Sequence, residues 1–221
     1  LYPEANIQNI GFERTNYPDG YFDVAIGNVP FGDYRVNDSV YNSHGFLIHD
    51  YFFAKTLDKL RAGGVAAYIT TKGTMDKEST KVREFLFKKA ELLGAIRLPN
   101  TAFKNAGTKV TADILFLQKR EKEIENPEWT TVTEDAQGFR INSYFVQHPE
   151  MILGTMQEIS GPYGMETTCV EKEGVPLGER LRAAISHITG HIPERVEEER
   201  AEFRYGEEQP TDAPDASEVR M

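Results

Sequence analysis

The sequence predicts an α/β fold: a mostly parallel sheet with an antiparallel last strand, plus an irregular acidic C-terminal extension. Three observations predict it. Short apolar runs alternate with segments of helical period between residues 21 and 98, the alternation that builds parallel sheets. A last apolar run at 110–117 is reached from Leu98 through a loop containing Gly107 but no helix, a connection that suits an antiparallel neighbour. Beyond Arg120 the periodicity fades and carboxylates accumulate.

Residues 21–27 are rich in aromatic and β-branched side chains and follow the turn signal Pro18-Asp19-Gly20, which predicts a buried strand. Over 46–62, Leu47, Tyr51, Ala54, Leu57 and Leu60 recur every three or four positions, an amphipathic helix with Gly63-Gly64 as its stop. Residues 65–70 form a second strand and 80–90 a second helix, with Val82, Phe85, Leu86 and Lys89 at helical spacing. Residues 92–98 form a third strand ended by Pro99, and 110–117 the fourth. Residues 121–125 are a charged exit, 129–142 alternate loosely like a hairpin, and 177–188 have helical spacing. From Gly190 onward, prolines and carboxylates with few apolar residues predict an acidic linker or disordered tail.

At 221 residues the chain has room for one domain and a tail. No apolar run is long enough to span a bilayer, so no membrane anchor is expected. Leu1-Tyr2-Pro3-Glu4 is neither an initiator sequence nor a signal peptide and reads as a cut inside a longer protein. The single cysteine, Cys169, excludes an internal disulfide and argues against zinc, so a reducing, cytoplasmic setting is expected and no metal. The net charge of −10 is unevenly spread: residues 1–120 hold 16 Lys and Arg against 13 Asp and Glu, and residues 121–221 hold 9 against 22. The first half is therefore compatible with nucleic acid, although the whole chain is acidic.

Asn28-Val29-Pro30-Phe31-Gly32 stands directly after the first predicted strand, at the carboxyl end where α/β sheets gather their ligands. As an ordinary turn, Pro30 and Gly32 would only redirect the chain. As a site, the residues suit one chemical problem. An amine attached to an aromatic ring is a poor nucleophile because its lone pair is delocalised. The Asn28 side-chain oxygen and the Val29 carbonyl can accept both amine hydrogens and draw the nitrogen toward tetrahedral geometry, which turns the lone pair toward a methyl donor. Pro30 fixes the backbone so that the carbonyl is aimed in advance, and Phe31 offers a flat face to an extruded base. A base inside a duplex must first be flipped out.

These residues resemble the amino-methyltransferases that carry Asn/Asp-Pro-Pro-Phe/Tyr, specifically the N6-adenine DNA methylases, in the form fused to helicase regions of large mobile-element proteins. The likeness runs from Phe22 through Gly63-Gly64-Val65, Leu98-Pro99 and Gly107-Thr108-Lys109-Val110-Thr111-Ala112-Asp113-Ile114 to Tyr144-Phe145 and His148-Pro149-Glu150-Met151. Val29 replaces the family's first proline, but only its carbonyl is needed. The resemblance implies a partial Rossmann-like methyltransferase sheet, S-adenosyl-L-methionine as cofactor, DNA as partner, and a role of the restriction-modification kind. It gives the amine to Asn28 and Val29, the stacking face to Phe31, and a second aromatic near the base to Phe103. It assigns Phe12, with Glu13 beside it, to the cofactor adenine, although Gly11 stands where the family has an acidic neighbour. Residues 1–120 then correspond to the C-terminal part of a catalytic domain, 121–189 to a family-specific extension of mixed structure, and 190–221 to the acidic tail.

The family also binds its cofactor with a glycine-rich loop after one strand and an acidic residue after the next, and neither precedes Phe22. Residues 7–10 are therefore expected not to take their family place, and strand 21–27 to have an unpaired edge. The missing strands are expected from the rest of the same polypeptide, which also has a helicase region by resemblance, and the isolated chain is expected not to bind S-adenosylmethionine. His44 and His49 are five apart, not the four of a two-histidine metal site. Lys72-Gly73-Thr74 lacks the glycines of a phosphate loop. Lys81, Arg83, Lys88 and Lys89 make one helix basic, as a DNA contact or a solvated face. Two other functions remain open: methylation of a protein glutamine amide, whose nitrogen poses the same electronic problem, and a degenerate domain that binds DNA without catalysis.

Overall fold

The structure, a computed structural model, describes residues 5–161 and 164–194. Residues 5–21 hold a 3-10 turn, Phe12–Arg14, and no strand, so residues 7–10 take no place in the sheet. The chain then forms β1 (Phe22–Asn28), α1 (Ile48–Lys59), β2 (Leu60–Thr71), the short α2 (Gly73–Asp76), α3 (Lys81–Lys89), β3 (Ala90–Leu98) and β4 (Ala112–Lys119). The main sheet has the order β1-β2-β4-β3. β1 pairs with β2 in parallel, and β4 runs antiparallel to both β2 and β3. Three strands thus share one direction and the last is reversed, as the sequence predicts; the structure adds that this last strand lies between β2 and β3.

Gly63-Gly64 does not stop a helix. α1 ends at Lys59 and β2 begins at Leu60, with both glycines inside the strand. Gly63 has φ +77°, and a Cβ on Gly64 would lie 2.9 Å from the Asp23 carbonyl oxygen and 3.0 Å from that of Arg61. The register with β1 shifts at this point, between Phe22 and Val24. The pair serves a bulge and a close backbone approach, and no longer helix is needed to explain it.

One face of the sheet is fully buried under α1 and α3. On it lie Ala66, Tyr68, Leu115, Leu117 and Ala95, packed with Phe53, Leu57, Leu86 and Phe87 of the helices. Tyr68 fixes α1 to the sheet: its ring meets Phe53 at 5.3 Å and its hydroxyl shares a 2.6 Å hydrogen bond with Thr56.

The predicted hairpin in 129–142 is present as β5 (Val132–Glu134) and β6 (Arg140–Asn142), followed by α4 (Ser143–Gln147). A second hairpin, β7 (Gly154–Gly161) and β8 (Gly164–Glu171), and the helix α5 (Leu177–Ile185) complete the described elements. This part shares the core of the sheet, since Ile141, Phe145, Met151, Leu153, Cys169 and Ala184 are buried with it. It also closes one edge. The Leu153 amide donates to the Arg97 carbonyl at 2.9 Å, and Ile152 forms a parallel bridge with Arg97, so chain lies along β3. Among the described residues no strand pairs with the outer edge of β1, where Ile26 is 79 % exposed. The tail expected from residue 190 has no helix or strand as far as Glu194, and its remainder, 195–221, lies outside the described residues. No described helix is long and apolar enough to cross a membrane.

Candidate active site

The carboxyl ends of β1 and β2 set the geometry of the tetrapeptide. Asn28 closes β1 opposite Ile69, and the next residue, Val29, donates its amide to the Ile69 carbonyl at 3.1 Å. Val29 is buried, which anchors the peptide, while Asn28 is exposed and Phe31 is 39 % exposed. Pro30 has no amide hydrogen with which to continue the ladder, so the chain leaves the sheet here. Gly27 faces Tyr68 of β2, and a Cβ on it would lie 3.4 Å from that ring.

The loop that follows is held to α1. Asp38 accepts hydrogen bonds from Tyr51 at 2.9 Å and from the buried Lys55 at 3.1 Å. Burial raises the pKa of Asp38, but these bonds outweigh it and keep the carboxyl below its ordinary value. The Ile48 amide, at the start of α1, donates to the Tyr34 carbonyl. The segment after Phe31 is thus pinned at two points.

Opposite the tetrapeptide runs the β3–β4 loop, with a 3-10 turn at Lys104–Ala106 and Gly107 at φ +77°. A cavity of about 320 Å³ lies between the two, lined by Asn28, Val29, Pro30 and Phe31 on one side and Phe103, Ala106 and Thr108 on the other. The structure therefore brings Phe103 together with the four residues of the motif.

Phe12 and Glu13 lie elsewhere. Phe12 lines a separate groove of about 290 Å³ along β1, beside Val24 and Ile26, that shares no residue with the first cavity. Its ring packs on Phe52 at 4.9 Å and has the Lys55 ammonium 5.3 Å from its centroid. The Glu13 carboxylate folds back over Gly11, into the space that a side chain at position 11 would fill. Phe12 thus offers an aromatic side chain to the groove, while the Glu13 carboxylate stands over Gly11 and does not line it.

Behind the cavity, β3 and β4 are locked by charge. Arg97 and Asp113, both wholly buried, form two hydrogen bonds of 2.9 Å, and Asp76 of α2 approaches Arg97 at 2.8 Å. Burial works against the Arg97 charge, but the two carboxylates outweigh it and raise its pKa above the usual guanidinium value. The β7–β8 hairpin closes this end: Lys72 donates to the Thr167 carbonyl, the Cys169 amide donates to Thr111 Oγ1 at 2.9 Å, and the Asn100 amide donates to the Cys169 carbonyl at 2.7 Å.

A family model described as N-6 DNA Methylase matches residues 7–144, more than half of the chain. The chain belongs to the N-6 DNA methylase family. Defense against restriction protein B of Escherichia phage P1 is 34 % identical over 130 residues, which cover 56 % of this chain and 6 % of that protein. The M protein of the type I restriction enzyme EcoKI aligns with a TM-score of 0.40 at 20 % identity, over 51 % of this chain and 24 % of that one. A protein from Listeria monocytogenes assigned as a class I S-adenosylmethionine-dependent methyltransferase aligns with a TM-score of 0.40 at 23 % identity, over 52 % and 36 %. The chain spans well under half the length of each of these relatives.

In this member of the N-6 DNA methylase family several sequence candidates have structural duties. Arg83 is fully buried and donates to the carbonyls of Thr130, Thr74 and Lys77, and Lys89 pairs with Asp58 at 2.8 Å, so the helix α3 is less free to meet DNA than its composition suggests. His44 stacks on Phe46, with ring centroids 5.0 Å apart. His49 is buried between Asp50 and Lys77. No group of side chains among the described residues is arranged to hold a metal ion. The lysines of the β3–β4 loop, beside the cavity, were not singled out by the sequence. Their signal was local: residues 99–112 contain no carboxylate, in a chain of net charge −10.

Proposed function

We propose that this chain carries the amine-activating part of a methyltransferase that modifies the N6 amine of adenine in DNA. The observation that supports the reading is the cavity beyond the end of β1, in which Asn28, Val29, Pro30 and Phe31 face Phe103. Its size suits one extruded base. In this reading Phe31 and Phe103 hold the base by its faces, and the Asn28 oxygen and Val29 carbonyl accept the two amine hydrogens. Hydrogen bonding of both hydrogens localises the lone pair on nitrogen. S-adenosylmethionine, when bound, supplies an electrophilic methyl group. Phe12 and Glu13 are this chain's contacts to its adenosine end.

The remaining cofactor contacts and the strands beyond β1 come from elsewhere in the complete natural polypeptide. The open edge of β1, with Val24 and Ile26 exposed, supports this part of the reading. The test is transfer of labelled methyl groups from S-adenosylmethionine to DNA or to peptide by the complete polypeptide. Label recovered as N6-methyladenine supports the proposal. Label on a glutamine amide, or no transfer with cofactor and DNA both bound, contradicts it.

A further inference from the structure

With the cavity read as the base site, as proposed above, DNA has to be held beside it by cations that are free to meet phosphate. Nearly every cation near the sheet is spent on a partner within the chain. Lys55, Lys59, Arg61, Lys77, Lys89 and Arg97 each pair with a carboxylate within 3.1 Å. Arg83 is fully buried on three carbonyls, and Lys88 of the same helix reaches Glu125 at 3.4 Å. Lys104 and Lys109 differ, as does Lys81 at the start of α3, which has no such partner among the described residues. Both loop lysines are exposed, neither side chain has an ion pair or hydrogen bond among the described residues, and in sequence they bracket Ala106 and Thr108 on the cavity wall. The nearest acid in sequence on either side is out of reach as a counter-ion: Asp113 is buried against Arg97, and Arg97 separates the loop from Glu91.

We propose that Lys104 and Lys109 bind the two backbone phosphates that flank the extruded nucleotide, and that this loop, not the basic helix α3, is the electrostatic contact of the site. Two free ammonium groups in the loop that supplies one wall of the cavity put positive charge close to where an extruded nucleotide leaves its own phosphates. An acidic protein needs such a local surplus, because its overall field repels DNA. Gly107, held at φ +77° between the two lysines, turns the backbone so that both lie in the same short loop. These contacts position the strand and carry no sequence information.

The test uses the complete polypeptide and a short, labelled, adenine-containing duplex, with binding followed by fluorescence anisotropy over a range of salt. Neutralising two phosphate contacts lowers the slope of log K against log salt by about 2. The double variant Lys104→Ala/Lys109→Ala is expected to show that loss and a KM for DNA raised by about 10-fold or more at moderate salt, with kcat preserved. Lys104→Arg/Lys109→Arg should keep the slope, and Lys81→Ala/Lys88→Ala on α3 should leave it unchanged. An unchanged slope in the loop variant, an equal loss in the helix variant, or no DNA binding by the wild type overturns the proposal. Binding is read without methyl transfer, so the two readings separate. Loop-dependent binding without N6-methyladenine supports the lysines and overturns the methylation reading, and methylation with an unchanged slope does the reverse.

Discussion

The Val29 amide donates to the Ile69 carbonyl at 3.1 Å, one residue past the register pair formed by Asn28 and Ile69. That bond fixes the tetrapeptide to the end of a central strand just before Pro30 ends the ladder. Val29 contributes its side chain to the core and its carbonyl to the site, whereas Asn28 contributes an exposed side chain. The two residues should therefore fail in opposite ways when changed.

Val29→Ala removes two methyl groups from a buried position and should cost about 1–2 kcal/mol of stability, measured by urea unfolding of the chain. Methyl transfer by the complete polypeptide should persist, because the carbonyl is unchanged. Loss of transfer in a folded Val29→Ala protein would count against use of the main chain.

Asp113→Asn leaves the buried Arg97 with only Asp76 as a charged partner. The expected cost is about 3–5 kcal/mol in denaturant unfolding, since a buried charge loses a doubly hydrogen-bonded counter-ion. Asp76→Asn/Arg97→Met/Asp113→Leu should recover much of that loss, as all three charges leave together. If the single and triple variants are equally destabilised, the cost lies in packing and not in charge.

His49 should make the chain acid-sensitive. Burial is the main reason its pKa is lowered, with Lys77 acting in the same direction and Asp50 and Asp33 opposing. The unfolded histidine then binds its proton first as pH falls, so stability is full above about pH 7 and declines below about pH 6.5. His49→Gln should flatten stability between those values and about pH 5, a range in which carboxylates contribute less. Denaturant midpoints measured across that range, equally steep for wild type and variant, would assign the sensitivity to other groups.

The sequence made the local features of this fold legible and left the distant ones hidden. The strand at residues 21–27 announces itself because its apolar residues and turn are contiguous, and the four strands follow for the same reason. Gly63-Gly64 misled because a helix stop and a β-bulge ask for the same residue, and only the approach of the Asp23 carbonyl distinguishes them. Arg83 looked like a surface cation until the carbonyls of Thr74, Lys77 and Thr130 surrounded it. The β7–β8 hairpin escaped notice because its strands are rich in Gly, Thr, Glu and Met rather than β-branched apolar residues, and Arg97 contacts Asp113 across a pairing that no local pattern reveals. The same holds at the site. The motif itself is contiguous, but its neighbourhood with Phe103 depends on a loop more than seventy residues later in the chain.

Ile26 provides a test of the open edge. Exposed at 79 %, it should tolerate Ile26→Lys in the isolated chain with little change in melting temperature. In the complete polypeptide the same change should lower stability and methyl transfer together, because a lysine would be buried where a strand or helix covers β1. Equal tolerance in both contexts would mean that the edge stays bare.

The most direct measurement is N6-methyladenine in DNA, quantified by mass spectrometry after incubation of the complete polypeptide with labelled S-adenosylmethionine. Wild type and Val29→Ala should both produce it, and Asn28→Ala should lose about 100-fold or more in rate while its melting temperature stays the same, since the Asn28 side chain is exposed. N6-methyladenine formed by Asn28→Ala at the wild-type rate would contradict the central claim.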